Sequence, residues 1–484
     1  MTESVHGEAV DVTSKRVVLA YMSVTGLVLV LLMLFGLLMR LSQGGTLQVP
    51  DDLFYQVMTA HGIGMVGISG LGGAAILWYF LRQYVRLSKA ILITNLIFFL
   101  IGVVLVLGGT FIGGFAGAWT FLYPLPAKSA GVWVAGAAAA YLVGVLLVGV
   151  GFLLLFLDIG RAILSRYGGL GRALGWPQLF GGDTGDPPPP TVVASTVVTI
   201  MNVLAIGVGA VILTISLVNL YVPGFSIDAL LAKNLIYFFG HTFINATIYM
   251  AIVAVYEILP RYTGRPWPAT KVFLAAWSAT LVMVLIVYPH HLLMDFVMPT
   301  WMLWMGQIIS YTSGFPVLVV TAIGTLTIVY RSAIQWDLAS GLLFLSVFGW
   351  AAGVLPAIID ATIVVNLVMH NTMWVPGHFH FYLLLGLVAM FFGFMYYLAK
   401  GEGDEKDILL DRAGFWIYTI AGLAFIATFL MAGKDGVARR WAVHLPEWVA
   451  YDRLASVFGT LVILAVLVFV IRFLTRLRAM GAFA

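Results

Sequence analysis

Cysteine is absent from all 484 residues. That excludes a disulfide framework, an iron–sulfur centre and a haem attached through Cys-x-x-Cys-His, so any metal must rest on histidine or carboxylate. Charge is also scarce. Only 10% of positions are charged while 62% are hydrophobic, whereas water-soluble chains carry roughly a quarter charged residues. A soluble globule is excluded, and a net charge of +4 is too small for a nucleic-acid footprint. The polar first sixteen residues precede a span too long for the apolar region of a cleavable signal peptide, so the first span is expected to stay.

What the sequence does have is apolar runs of about twenty residues, the length that crosses ~30 Å of hydrocarbon. The expected fold is an all-α membrane protein with about twelve transmembrane helices. They are read at 17–40, 54–82, 90–114, 131–158, 193–220, 233–259, 268–292, 302–330, 338–365, 374–399, 413–432 and 454–476. Lys and Arg gather in alternate connections, among them Lys15 and Arg16, Arg82 and Arg86, Arg161 to Arg172, Lys400 and Lys406, and Arg472 to Arg478. By the positive-inside rule both termini are cytoplasmic, as in a multi-pass protein of a prokaryotic inner (plasma) membrane.

One polytopic domain, 1–484, is expected. Its span-and-loop rhythm breaks at 159–192, where DIGRAILSRYGGLGRALGWPQLF is followed by GGDTGDPPPP. This reads as a cytoplasmic interfacial and Pro-rich connection whose Arg161, Arg166 and Arg172 suit anionic membrane lipid. It is too short to bury a core of its own.

Six histidines, His61, His241, His290, His291, His378 and His380, lie within apolar spans or at their ends. Intramembrane ionisable groups are costly and are functional candidates, although a single one is often only a helix–helix hydrogen bond. The alternating topology puts all six in the outer third of the bilayer, about 10 Å deep at ~1.5 Å per residue. Spacing then divides them. His378 and His380 are two apart, about 200° around a helix, so they face opposite ways and can serve two haems. His290 and His291, at a span end broken by Pro289, can converge with His241 on a three-imidazole site suited to copper, iron or zinc. His61 can pair with one face of the tenth span, and spacing does not say which.

The stretch HNTMWVPGHFHFYLL from His370 resembles the tenth-helix signature of subunit I of the haem-copper oxidases, closest to the B-type branch. YQVMTAHGIGM around His61, FFGHTFINATIY around His241 and VYPHHLLMDF around His290 are similar to the family's motifs on helices two, six and seven. The resemblance implies that His61 and His380 ligate a low-spin haem and His378 a high-spin haem. It further implies that His241, His290 and His291 hold one non-haem metal, copper or iron, with Phe379 lying near both haems. Arg439 and Arg440 break the charge sidedness and call for an anion, for which haem propionates are the natural candidate; GVARR resembles the family's basic pair. Asp360 and His370 are expected as propionate or water partners. A solvated loop is the plain alternative for the arginines.

One position departs from the family. Its A- and B-type oxygen reductases carry a tyrosine four residues after the helix-six histidine, crosslinked to that imidazole as an electron and proton donor; here the residue is Asn245. The C-type branch draws its tyrosine from helix seven, where this chain has Val284. Tyr249 is ~12 Å along the helix from His241, and Tyr288 is in the wrong phase. Splitting dioxygen takes four electrons, whereas joining two molecules of nitric oxide into nitrous oxide and water takes two. The loss therefore favours a nitric oxide reductase derived from B-type oxidases, with Asn245 either donating a hydrogen bond to a bound nitrogen oxide or only packing helices. A B-type cytochrome c oxidase reducing dioxygen is the alternative. A non-catalytic di-haem carrier is weaker, because it has no use for the three grouped imidazoles.

The inner end of span six carries Glu257, which matches no motif. Span eight carries Ser310, Tyr311, Thr312, Ser313, Thr321, Thr325 and Thr327, a series that a proton path could use, although helical Ser and Thr commonly bond their own backbone. The chain has no cupredoxin motif, so electrons must come from elsewhere. The family implies a small cupredoxin-like subunit II, fed by cytochrome c or a similar donor, with quinol as another possibility.

Overall fold

The computed structural model describes residues 12–222, 224–400 and 407–479; His6 and Lys406 lie outside them. Twelve helices among these residues are long and apolar enough to cross a membrane. We label them α1 (Thr13–Gln43), α2 (Asp51–Leu81), α3 (Lys89–Ile112), α4 (Ala135–Tyr167), α5 (Pro190–Tyr221) and α6 (Ala229–Thr263). The remainder are α7 (Lys271–Leu292), α8 (Thr300–Val329), α9 (Leu338–Asp360), α10 (Trp374–Ala399), α11 (Leu409–Lys434) and α12 (Pro446–Ala479). There is no β-strand among the described residues, only an isolated antiparallel bridge between Thr372 and Ala438.

Helix ends follow local chemistry more than apolar content. Asp228 caps α6, its side chain accepting from Leu231 N at 2.7 Å, and Asp51 and Asp52 occupy the first turn of α2, where the helix dipole favours acids. Both helices therefore begin before their apolar runs. His61 and His241 consequently sit ten and twelve residues from the helix starts, about 15 and 18 Å along the axis at 1.5 Å per residue. The break expected at 159–192 is shorter than read. α4 continues to Tyr167 and Pro190 is the first residue of α5, where a missing N–H costs nothing. The connection between them holds two short helices, Leu170–Ala173 and Trp176–Leu179.

Three of the spans are irregular, two of them where histidines lie. α7 ends in a 3₁₀ turn, Tyr288–Leu292, led by Pro289. α8 is broken at Gly314, just ahead of Pro316. α10 widens into a π-helical stretch, Phe381–Val388, directly after His380, a distortion common at functional sites.

The three most interior spans all carry histidines. Within their most apolar windows α2, α6 and α10 are 78%, 83% and 78% buried, against 28% for α3. α6 packs on α2 and α5, and α10 packs between α9 and α11. The α10–α11 contact depends on Gly433, where a Cβ would stand 2.0 Å from Trp374 N. Small residues of this kind let membrane helices approach closely. The loop after α11 is stitched to the start of α10 by Met373 N to Val437 O at 2.8 Å and Arg439 N to Asn371 O at 3.1 Å.

Candidate functional site

His241, His290 and His291 come together as the spacing suggested: one nitrogen from each lies within 4.8 Å of the others. His241 Nδ1 is 3.0 Å from His291 Nε2. The His290 ring is oriented from behind. Ser310 Oγ donates its proton to Gly306 O at 2.6 Å and lies 2.6 Å from His290 Nδ1. Its lone pair must therefore accept from Nδ1–H, which leaves His290 Nε2 as a lone pair for a metal. Partners of this kind orient a ligand and tune its basicity, and their loss typically costs 10- to 100-fold in metal affinity. Ser310→Ala is accordingly expected to weaken metal retention by about 10- to 100-fold on dialysis against a chelator, with the fold intact; unchanged retention would show that this bond does nothing for the site.

His61 and His380 are prepared in the same way by backbone carbonyls. His61 Nδ1 meets Leu32 O at 2.7 Å, and His380 Nδ1 meets Pro376 O at 2.6 Å, so each presents Nε2. The two rings lie within electrostatic range of each other, whereas His378 lies in range of His290 and Arg439. The opposite-face reading of His378 and His380 is thus what the helix provides, with His380 turned toward His61 and His378 toward the three imidazoles. Phe425 and Phe429 of α11 pack edge-on to His380, at 5.4 and 5.3 Å.

All six histidines, with His370, Phe379, Asp360, Arg439 and Arg440, line one cavity. Among the side-chain atoms around it, His378 Nδ1, His370 Nδ1 and Arg439 Nε are buried without a partner. Buried polar groups are nearly always satisfied, so the cavity is chemically incomplete without guests that bring acceptors or metals. Burial and neighbouring Arg440 push the Arg439 guanidinium down to about 10, as expected of two close cations waiting for an anion. Burial, with Arg439 and Arg440 nearby, pushes His370 down to about 3. It is neutral, and serves an anion only through a hydrogen bond. Asp360 faces inward to Asn366 Nδ2 at 3.3 Å and lies in range of Arg439, so it already balances part of that charge. The donor set therefore fits two haems with their propionates and one histidine-bound metal.

Asn245 stands beside His241. Its Nδ2 donates to His241 O at 2.9 Å and lies 3.1 Å from His241 Nε2. One amide N–H is thus used on its own helix turn. Asn245 also lines the cavity, so bracing the His241 turn and reaching a guest are both compatible with its position. Tyr288, as its phase predicted, points away, donating to Asn234 Oδ1 at 2.9 Å. The sequence reading missed Tyr237, whose ring stacks on His291 at 5.4 Å and 17°. Its place one turn before His241 was the available signal.

The polar series on α8 is not continuous. Thr312 and Thr327 bond their own helix, Tyr311 pairs with Thr362 and Thr321 pairs with Tyr256 of α6 at 2.7 Å. Only Ser310 reaches a site histidine. Glu257 takes hydrogen bonds from Tyr84 at 2.9 Å and from Thr191, a buried carboxyl joining α6 to α5 and to the connection after α2.

Comparison with known proteins accords with this geometry. The family profile described as "Cytochrome C and Quinol oxidase polypeptide I" matches residues 16–469. The chain is 24% identical over 466 residues to cytochrome c oxidase polypeptide 1 of Halobacterium salinarum, covering 91% of this chain and 74% of that one. It is 26% identical to cytochrome c oxidase subunit 1 of Thermus thermophilus over 51% of this chain and 48% of the relative. With ubiquinol oxidase subunit 1 of Acetobacter aceti the identity is 24%, over 48% and 35%. These last two matches span less than half of the relatives' own length. A cryo-EM structure of a haem-copper terminal oxidase dimer superposes with a TM-score of 0.81 at 21% identity, covering 96% of this chain and 84% of that one, a likeness of fold. With the profile spanning nearly the whole chain and the six histidines ringing one cavity, the protein belongs to the haem-copper oxidase subunit I family.

Proposed function

We propose that this chain is the catalytic subunit of a terminal respiratory complex that reduces nitric oxide to nitrous oxide. His61 and His380 would hold the low-spin haem, His378 the high-spin haem, and His241, His290 and His291 a copper or iron ion. When bound, these groups supply electron storage and two facing metal positions for a small gas. The chain's own residues do the positioning. Ser310 fixes the tautomer of His290, Asn245 braces His241, the Leu32 and Pro376 carbonyls orient His61 and His380, and Arg439 with Arg440 receives propionate charge. The polytopic chain reads as one domain in a prokaryotic plasma membrane, and the B-type branch remains the nearest match to its α10 motif. Electrons would come through a cupredoxin-like second subunit from a cytochrome c or a quinol.

A single observation carries the choice of substrate: the amide of Asn245 stands at His241 Nε2, the position where oxygen reductases of this family carry a phenol. Function resides in the site more than in the fold. The named relatives nevertheless point toward dioxygen, and Tyr237 stacked on His291 gives that second reading a candidate donor. Turnover of the purified complex separates the two. Nitric oxide consumed anaerobically with stoichiometric nitrous oxide is the expected result. Rapid dioxygen consumption with little nitrous oxide, abolished by Tyr237→Phe, would establish the oxidase reading instead.

A further inference from the structure

Among the described histidines His444 alone does not line the cavity, and it forms the centre of a second buried polar cluster. Its side chain is 0% exposed. Nδ1 lies 2.7 Å from Asp452 Oδ2, and the other oxygen of Asp452 takes Arg40 at 3.2 Å. Nε2 has two neighbours of opposite kind, the carbonyl oxygen of Ala438 at 2.9 Å and the amide nitrogen of Gln43 at 3.0 Å. The Gln43 amide is not free to turn round, because the same nitrogen donates to Trp441 O at 2.6 Å. With Nδ1–H given to Asp452, a neutral ring accepts at Nε2 from Gln43, and a protonated ring donates from Nε2 to Ala438. Each protonation state finds a hydrogen-bond partner with the heavy atoms where they stand.

The cluster also adjoins the low-spin side of the cavity. Arg40 lies over the Phe429 ring at 5.4 Å, Phe429 packs against His380 at 5.3 Å, and Arg40 is in electrostatic range of both His61 and His380. We propose that His444, held by Asp452, is a proton-binding site coupled to electron occupancy at the centre between His61 and His380. This rests on the reading of those two residues as low-spin haem ligands. With His444 neutral, Arg40 and Asp452 balance; with it protonated the cluster carries one net positive charge. One electron from a one-electron reductant takes the iron from ferric to ferrous, and one proton from water forms the Nε2–H bond. Reciprocity requires each event to favour the other by the same factor.

The charged groups around the ring are accounted for from each neighbouring element. From α1 there is Arg40. From the 435–445 loop there are Arg439 and Arg440, with Asp435 held by Tyr451. From α12 there are Asp452, Glu447 and Arg453, the last bound to Gly44 O at 3.0 Å. The ring lies close beneath the surface, since its loop neighbours Trp441 and Leu445 are 52% and 41% exposed.

The test is a redox titration of the low-spin haem in the purified complex, followed optically between pH 5.5 and 8.5. The wild-type midpoint potential is expected to fall as pH rises through part of that range, by at most about 59 mV per tenfold change in proton activity. His444→Gln, which keeps polar contacts but cannot titrate, is expected to flatten the dependence and leave the optical spectrum unchanged. A wild-type potential independent of pH, or a His444→Gln enzyme with undiminished pH dependence, overturns the proposal. Should that variant fail to assemble, redox-difference infrared spectra of wild type with isotope-labelled histidine decide. A reduction-linked imidazolium band supports the site and its absence overturns it. The ligand reading is checked separately, because His61→Ala must lose the low-spin band whatever His444 does.

Discussion

Replacing His291 with alanine is expected to strip the non-haem metal and lower gas reduction by about a thousandfold or more. Three imidazoles converge with one nitrogen each inside 4.8 Å, and each ring contacts the other two, His291 at 5.2 Å from His241 and 4.3 Å from His290. Two remaining ligands cannot enclose a metal that prefers three or four. Losing a metal's electrostatic contribution of several kcal/mol is about three decades at 1.36 kcal/mol each. Metal analysis of the purified variant, beside its haem spectra, is the measurement. Low-spin and high-spin signals should persist, because His61, His380 and His378 are untouched. A variant retaining one equivalent of metal per chain and near-normal turnover would refute the three-histidine assignment. The contrast with Ser310→Ala is part of the test: a ligand is lost outright in one case, and in the other only the bond that orients a ligand.

Asp452→Ala is expected to destabilise the protein by about 3–5 kcal/mol, the usual cost of leaving a buried charge without its partner. The Arg40 side chain is 8% exposed and that of Asp452 2%. Apart from Asp452, the neighbours of the guanidinium are the Met373 sulfur at 3.6 Å and the Phe429 ring, neither of which balances a full charge. His444 would lose its only carboxylate at the same time. Thermal unfolding in detergent should show the loss, and the double change Arg40→Met with Asp452→Ala should recover part of it, because the orphaned charge is then gone. A single variant as stable as wild type would mean that water reaches Arg40.

α10 shows how closely composition and fold are linked here. Its start is held by Gly433 of α11, which leaves no room for a Cβ beside Trp374 N, and by the loop carrying Arg439. The sequence announced the histidines, the arginine pair and the Pro289 break, because each is a polar or conformational exception in an apolar chain and therefore visible against its background. It also announced the opposite facing of His378 and His380, since helical periodicity is a property of a local segment.

Other features were not legible. Tyr237 and His444 look like ordinary residues until packing places one on His291 and the other against Asp452, which lies eight residues along, and Gln43, which lies about four hundred residues away in sequence. The starts of α2 and α6 depended on acidic residues that extend them past their apolar runs. The bond of Asn245 to its own helix turn was not legible either, because only the folded helix shows the amide donating to His241 O.

By itself, then, the sequence determined the membrane-spanning all-helical class, the count of spans and the histidine set, all of which follow from hydropathy and short-range spacing. Only the tertiary structure decided which ring faces which, what orients each imidazole, and that a buried His444–Asp452 pair stands beside Arg40. Those facts depend on contacts between helices distant in sequence, and no local pattern encodes a contact whose two halves are set by separate segments of chain.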